Sequence, residues 1–284
     1  MNFIFKKTIS GESGGTINNV INRHNNLDFL ILGASRAKHG IDPKYLTALG
    51  NDGFNLGING TSILNSLLVL DILIQNNAKP KTVVVQADLF EFVKGFDPYV
   101  SEQAKKVYPY DTELIREYVR NAGKVEQVKY FFETYRLNRK ILNVAVNFFK
   151  RNTINIGNGY VGLTNTTAVP DDISVSGDYV YDSGGVHAES VKKIKKLADE
   201  NNIKLIIVFP PFYKNVSYNK LEQKRIDDDF TNSGITVIDM SDVEKYKELE
   251  GIENWRDSFH FNSVGAEKFS ILLNEEIKKR NTGR

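Results

Sequence analysis

Five short apolar runs punctuate the chain: "DFLILG" at 28–33, "GFNLG" at 53–57, "TVVVQAD" at 82–88, "IKLIIVF" at 203–209 and "ITVID" at 235–239. Continuous rather than alternating apolar character predicts strands covered on both faces, as in a parallel sheet. Between the runs the period becomes helical. After Thr61, Leu64, Leu67, Leu68 and Ile72 fall on one side, with Thr61 or Ser62 as the cap, and after Val186 the same spacing holds Val191, Ile194 and Leu197. Strands alternating with helices predict an α/β domain built on a parallel sheet. Asp42-Pro43 opens a short helix with Tyr45, Leu46 and Leu49 on its apolar side and Gly50 at its end.

Residues 98–185 break the alternation. Two helices are predicted there, over 111–122 and 125–150, the second with Val128, Phe131, Phe132, Tyr135, Leu142, Ala145 and Phe149 at core-like spacing. An Asn-, Thr- and Gly-rich irregular stretch follows, of the kind that lies over a site. The expected organisation is an N-terminal approach segment over 1–25 and an α/β domain over 26–284, interrupted by a helical and irregular insertion at about 98–185.

Composition narrows the function classes. The 284 residues carry 37 basic and 35 acidic side chains, a net charge of +2, and these signs look mixed throughout. Neither a nucleic acid nor an anionic membrane is predicted as a partner. Cysteine is absent, which excludes disulfides, thiolate catalysis and Cys-based zinc sites and leaves the compartment open. Four scattered histidines without a carboxylate cluster predict no metal site. No stretch reaches the roughly 18 apolar residues of a membrane span, and the first residues are too short in apolar length for a secretory signal. "DDDF" at 227–230 reads as a solvated helix face.

Open parallel sheets bind ligands at the carboxyl ends of their strands. Ser35 follows the first run, "NLGINGTS" with Gly57 and Gly60 follows the second, and "RDSFHFNSVGA" places Asp257 three residues before His260 on a loop that Asn262 or Ser263 closes by capping the last helix. A serine hydroxyl needs an imidazole to take its proton, and the imidazole needs a carboxylate to fix its tautomer. Ser35, His260 and Asp257 supply those three groups. Arg36, Asn59, Asp88 and Tyr213 are candidate substrate contacts. His39 and His187 read as structural, and His24 as a surface residue.

The blocks "ILGASRA", "FNLGINGTS" and "DSFHFNSVGA" resemble those of the SGNH hydrolases, also called GDSL esterases. The resemblance implies a flavodoxin-like three-layer α/β/α sandwich with a five-stranded parallel sheet. It also implies Ser35 as nucleophile and, through its amide, oxyanion donor, Gly60 as second donor, His260 as base, Asp257 as its partner, and no cofactor. Two positions depart from the pattern. Ala34 stands where the family carries an acidic residue, and Phe90 stands near the expected third-block Asn, with Gln86 and Asp88 the polar residues nearby. "GASR" followed by a proline is similar to divergent bacterial members that look like polysaccharide or envelope esterases and acyltransferases. The implied function is a serine esterase or O-deacetylase acting on a small-molecule or carbohydrate ester. The alternatives are an O-acyltransferase on the same triad and a non-catalytic carbohydrate-binding protein on the same fold. An α/β-hydrolase is disfavoured, because Ser35 follows the first strand and Asp257 and His260 share one loop.

Overall fold

The structure is a computed structural model that describes residues 2–9, 15–22, 27–94, 104–137, 141–149, 157–166, 173–174, 180–214, 216–217 and 219–282. All five predicted runs are strands: β1 (Phe29–Leu32), β2 (Gly53–Asn55), β3 (Thr82–Gln86), β5 (Lys204–Phe209) and β7 (Thr236–Asp239). They form one parallel sheet in the order β2-β1-β3-β5-β7, and a separate two-stranded parallel pair joins β4 (Ile173–Ser174) to β6 (Val216–Ser217). Leu32 pairs with Val85, Val85 with Ile207 and Ile207 with Val237, so the strands end along one common edge.

Alternation along the strands divides the sheet's side chains between two covers. Phe29, Ile31, Val84, Ile206, Val208 and Ile238 form one core with Ala37 and Ile41 beside the Ser35–Gly40 helix and with Phe269, Leu273 and Ile277 of the Ser263–Thr282 helix. Leu30, Val83, Val85, Leu205, Ile207 and Val237 are buried on the opposite face. There the Val186–Glu200 helix packs on β5 and the Lys220–Asn232 helix on β7. Helices on both sides of a five-stranded parallel sheet make the expected three-layer α/β architecture.

Chain contacts divide the protein into two compact units, residues 27–63, 80–96 and 158–284, which contain this sheet, and residues 1–26, 64–79 and 97–157. In the second unit, helices Asn2–Lys7 and Gly15–Asn22 occupy the stretch expected as an approach segment, and the buried Asn18 amide donates to the carbonyls of Phe5 (2.7 Å) and Thr8 (2.9 Å). The helix expected over 111–122 runs Glu113–Asn121, with Thr112 capping the amide of Ile115. The single helix expected over 125–150 is three: Lys124–Phe131, Glu133–Arg136 and Ile141–Phe149. Phe132 is extended there (φ −83°, ψ 120°). The inward contacts of the first two helices are polar and aromatic, since Tyr108 and Tyr135 donate to Glu126 and Tyr130 donates to Asp111, which also pairs with Arg136, whereas Leu137 and Val144 are buried with Phe5. His24 and most of the irregular stretch after Lys150 lie outside the described residues.

Local details of the sheet unit also differ from expectation. The helix expected after Pro43 is two short 3-10 turns, Pro43–Tyr45 and Thr47–Leu49, capped by the Asp42 carboxylate at the Lys44 amide. The "DDDF" run is not wholly solvated. Burial, then the charge and hydrogen bond of Asp239, push the Asp227 carboxyl up to about 7, against an opposing hydrogen bond from Gln223. A raised carboxyl pKa in the folded state gives stability that is complete below the ordinary value of 3.8 and is lost as pH rises through about 7. Asp227→Asn is therefore expected to match the wild-type melting temperature near pH 4 and exceed it at pH 8. Thermal melts followed by circular dichroism at the two pH values check this, and a variant less stable at pH 8 sinks it.

Candidate active site

The expected nucleophile sits where β1 ends. Gly33 adopts φ +146° there, and a Cβ at this position would meet Gln86 Oε1 at 2.8 Å and the Ala37 Cβ at 2.9 Å, so the sharp exit from the strand requires glycine. Gln86 Oε1, at the end of neighbouring β3, accepts the Ala34 amide (3.1 Å), and Ala34 is extended before the helix that Ser35 begins. Gln86 thus holds the turn from below. Its own Nε2 is buried without a hydrogen-bond partner.

The loop after β2 closes over this turn from the side. Ile58 N–H donates to the Gly33 carbonyl (3.0 Å), and the buried Asn55 side chain accepts from the Gly57 amide (2.8 Å) while donating to the carbonyls of Ala37 (2.8 Å) and Ile41 (2.7 Å). The Asn55 side chain thus fixes the loop against the Ser35–Gly40 helix and the residue after it. Gly57 touches that helix so closely that a Cβ would lie 2.4 Å from the Lys38 amide nitrogen and 2.9 Å from the Ala34 carbonyl. Backbone atoms cannot yield as a side chain does, so Gly57→Ala is expected to cost about 1–3 kcal/mol and to displace the nucleophile turn. Gly40→Ala, whose Cβ would meet only Phe261 at 3.5 Å, is the control expected to melt within about 0.5 kcal/mol of wild type. Equal melting temperatures for the two variants would overturn the reading.

The acid and base come from the far end of the chain. Asp257 Oδ1 accepts the amides of Phe259 (2.8 Å) and His260 (2.9 Å), which closes a tight turn, and both carboxylate oxygens stand 3.0 Å from His260 Nδ1. The other ring nitrogen, Nε2, lies 2.8 Å from Ser35 Oγ. Three residues, the outermost 225 positions apart, thus make one continuous hydrogen-bonded relay. Partial burial raises the Asp257 carboxyl, but the hydrogen bonds from His260 and the Phe259 amide outweigh it and hold the group at about 2. Asp257 is ionised throughout the neutral range, as a group that orients and charges an imidazole requires. Below the turn, the fully buried Trp255 donates from Nε1 to the Leu249 carbonyl (2.7 Å) and packs on Phe261, and Asn262 caps the amides of Val264 and Gly265 as expected.

The candidate substrate contacts separate into two groups. Asn59 and Gly60 are exposed on the loop after β2, Gly60 with φ +61°. His39 stands between this loop and the 157–166 segment, its Nε2 3.0 Å from Asn59 Oδ1 and its Nδ1 2.7 Å from the Val161 carbonyl, with its ring 6.5 Å from that of His260. Burial lowers the His39 pKa despite those bonds, which favours the neutral ring. Arg36, Asp88 and Tyr213, by contrast, are buried among protein groups. Tyr213 is buried against Trp255 in the core. Arg36 and Asp88 pair with each other at 6% and 4% exposure, and Arg36 Nε donates to the Phe259 carbonyl (2.9 Å) while its terminal nitrogen donates to Pro210 (3.2 Å) and Pro211. Its guanidinium also lies over the Phe212 ring (4.2 Å). One cation thereby ties together the segments that follow β1, β3, β5 and β7. Glu91 adjoins the pair and accepts the Ile63 amide, and burial, then the Asp88 charge, push its carboxyl well up. Phe90 packs on Phe212 where the third-block Asn was expected.

Among the described residues, no group of His, Cys, Asp and Glu is arranged to hold a metal ion. No helix is long and apolar enough to cross a membrane.

No family model and no curated protein matches the chain. Among solved structures it is similar to a GDSL-like lipase from Bacteroides thetaiotaomicron, at 12% identity over 89% of this chain and 88% of that one, with a TM-score of 0.38. It is likewise similar to a "putative acylhydrolase" from Bacteroides fragilis, at 14% identity over 89% of this chain and 86% of that one, with a TM-score of 0.38.

Proposed function

We propose that this protein is an SGNH-type serine hydrolase, an esterase or O-deacetylase acting on an acylated carbohydrate. The observation that carries the reading is the relay from Asp257 through His260 to Ser35, with contacts of 3.0 and 2.8 Å. In it, His260 Nε2 takes the Ser35 proton as Oγ attacks the ester carbonyl. The developing oxyanion is met by the amides of Ser35 and Gly60, the tetrahedral intermediate expels the alcohol with a proton returned by His260, and water releases the acyl group by the same steps. The carbohydrate half of the assignment rests on the likeness of "GASR" and the proline after it to envelope and polysaccharide esterases. A sugar hydroxyl in place of water would make the same residues a transferase.

The test is labelling by a fluorophosphonate, which reacts only with an activated serine. Wild type is expected to label and Ser35→Ala to stay unlabelled. Because the Asp257 carboxyl is held at about 2, its titration should add no acid limb to the labelling rate near neutral pH. A folded wild type that labels no faster than Ser35→Ala overturns the reading. Release of acetate from acetylated oligosaccharides, compared with simple aryl esters, then decides the substrate class.

A further inference from the structure

The near balance of charge conceals one basic stretch. Between Glu133 and Asp171 there is no acidic residue, while Arg136, Arg139, Lys140, Lys150 and Arg151 are basic. The Ile141–Phe149 helix lies inside it, bracketed in sequence by Arg139 and Lys140 before and by Lys150 and Arg151 after. On this helix Leu142, Val146 and Phe149 recur at helical spacing and are 77%, 43% and 76% exposed, whereas Val144 on the other side is buried with Phe5 and Leu137. The Lys124–Phe131 helix repeats the arrangement. Val125, Val128 and Phe131, with Phe132 after it, are 57–84% exposed, Lys124 and Lys129 flank them, and the inward side is occupied by the Glu126 bonds to Tyr108 and Tyr135.

Seven large apolar side chains within 25 residues therefore face outward on helices whose inward faces are already satisfied. Scattered single exposures are ordinary, but repeated apolar stripes mark a surface that meets an apolar phase. The charges that border the second helix in sequence identify the phase. Lys140 precedes Ile141 and Lys150 follows Phe149 in the chain, with no acidic residue over 134–170, which matches the headgroup and acyl boundary of an anionic bilayer, where apolar side chains sink and cations stay at the phosphate. We infer that the Lys124–Phe131 and Ile141–Phe149 helices form a docking surface for an anionic lipid membrane. This holds independently of the chemistry at Ser35.

The experiment is flotation of the full chain with phosphatidylcholine vesicles, with and without phosphatidylglycerol. Binding is expected only to the anionic vesicles, and weaker at high salt. The double variants F131S/F132S and L142S/F149S, at exposed positions and checked for folding by circular dichroism, are each expected to lower the bound fraction at least about tenfold. Fluorophosphonate labelling should stay unchanged. Wild type that fails to float with anionic vesicles, or variants that float as wild type does, would overturn the inference. So would light scattering that finds a wild-type dimer reduced to monomer by the serine variants, since the face would then join two copies of this chain.

Discussion

Ester hydrolysis by Ser35→Ala is expected to fall by at least about 10⁴-fold in kcat with KM little changed, because the variant removes the attacking atom and leaves the backbone around it intact. His260 Nε2 loses its only reacting partner at 2.8 Å, and the Asp257 turn that orients the ring is untouched. His260→Ala should cost about as much, and the double variant no more than either, since the groups act as one unit. Steady-state kinetics on an aryl acetate, with the variants purified separately from wild type, supply the check. A Ser35→Ala rate within tenfold of wild type would mean that the relay serves structure rather than chemistry.

The second large effect is expected at Arg36, whose side chain is buried in an ion pair with Asp88. Arg36→Met leaves Asp88 buried without its cation, beside a second buried carboxyl at Glu91, and an uncompensated buried charge costs about 3–5 kcal/mol. It also frees the Phe259 carbonyl, one residue before the base, and the carbonyls of Pro210 and Pro211. Stability and rate should separate when the partner charge is removed as well. The Arg36→Met/Asp88→Leu pair is expected to regain a large part of the lost stability, while kcat stays low because nothing then holds the His260 turn against the nucleophile turn. Denaturant melts and kcat measured on wild type, Arg36→Met and the double variant decide it. Full recovery of kcat in the double variant would show that Arg36 serves only to neutralise Asp88.

The sheet was legible because each strand is a continuous apolar run buried on both faces, a pattern that survives whatever surrounds it. The relay was legible because Asp257 and His260 lie in one turn and a serine follows the first strand. Arg36 was misread for a physical reason: its partners are Asp88, Pro210, Pro211 and Phe259, and no local pattern signals an ion pair across 52 residues or a guanidinium bonded to distant carbonyls. Tyr213 was misread because a residue just after a strand can turn inward as easily as toward a ligand. Asn55 offered a signal that went unused, since an amide inside an apolar run must find several partners once buried. The helix expected over 125–150 erred in the opposite sense: Val128, Phe131, Phe132, Leu142 and Phe149 point outward, while the inner contacts are tyrosines with carboxylates in its first part and Leu137 and Val144 further on.

Gathering the segments after β1, β3, β5 and β7 on one guanidinium also sets when the site can exist during synthesis. Arg36 leaves the ribosome 223 residues before Phe259, and Ser35 leaves it 225 residues before His260. Parallel pairing and contacts of such long sequence separation form slowly. The nascent protein therefore carries Ser35 through that interval without the His260 turn, and ester cleavage should appear in a timed cell-free synthesis only after that turn has been made.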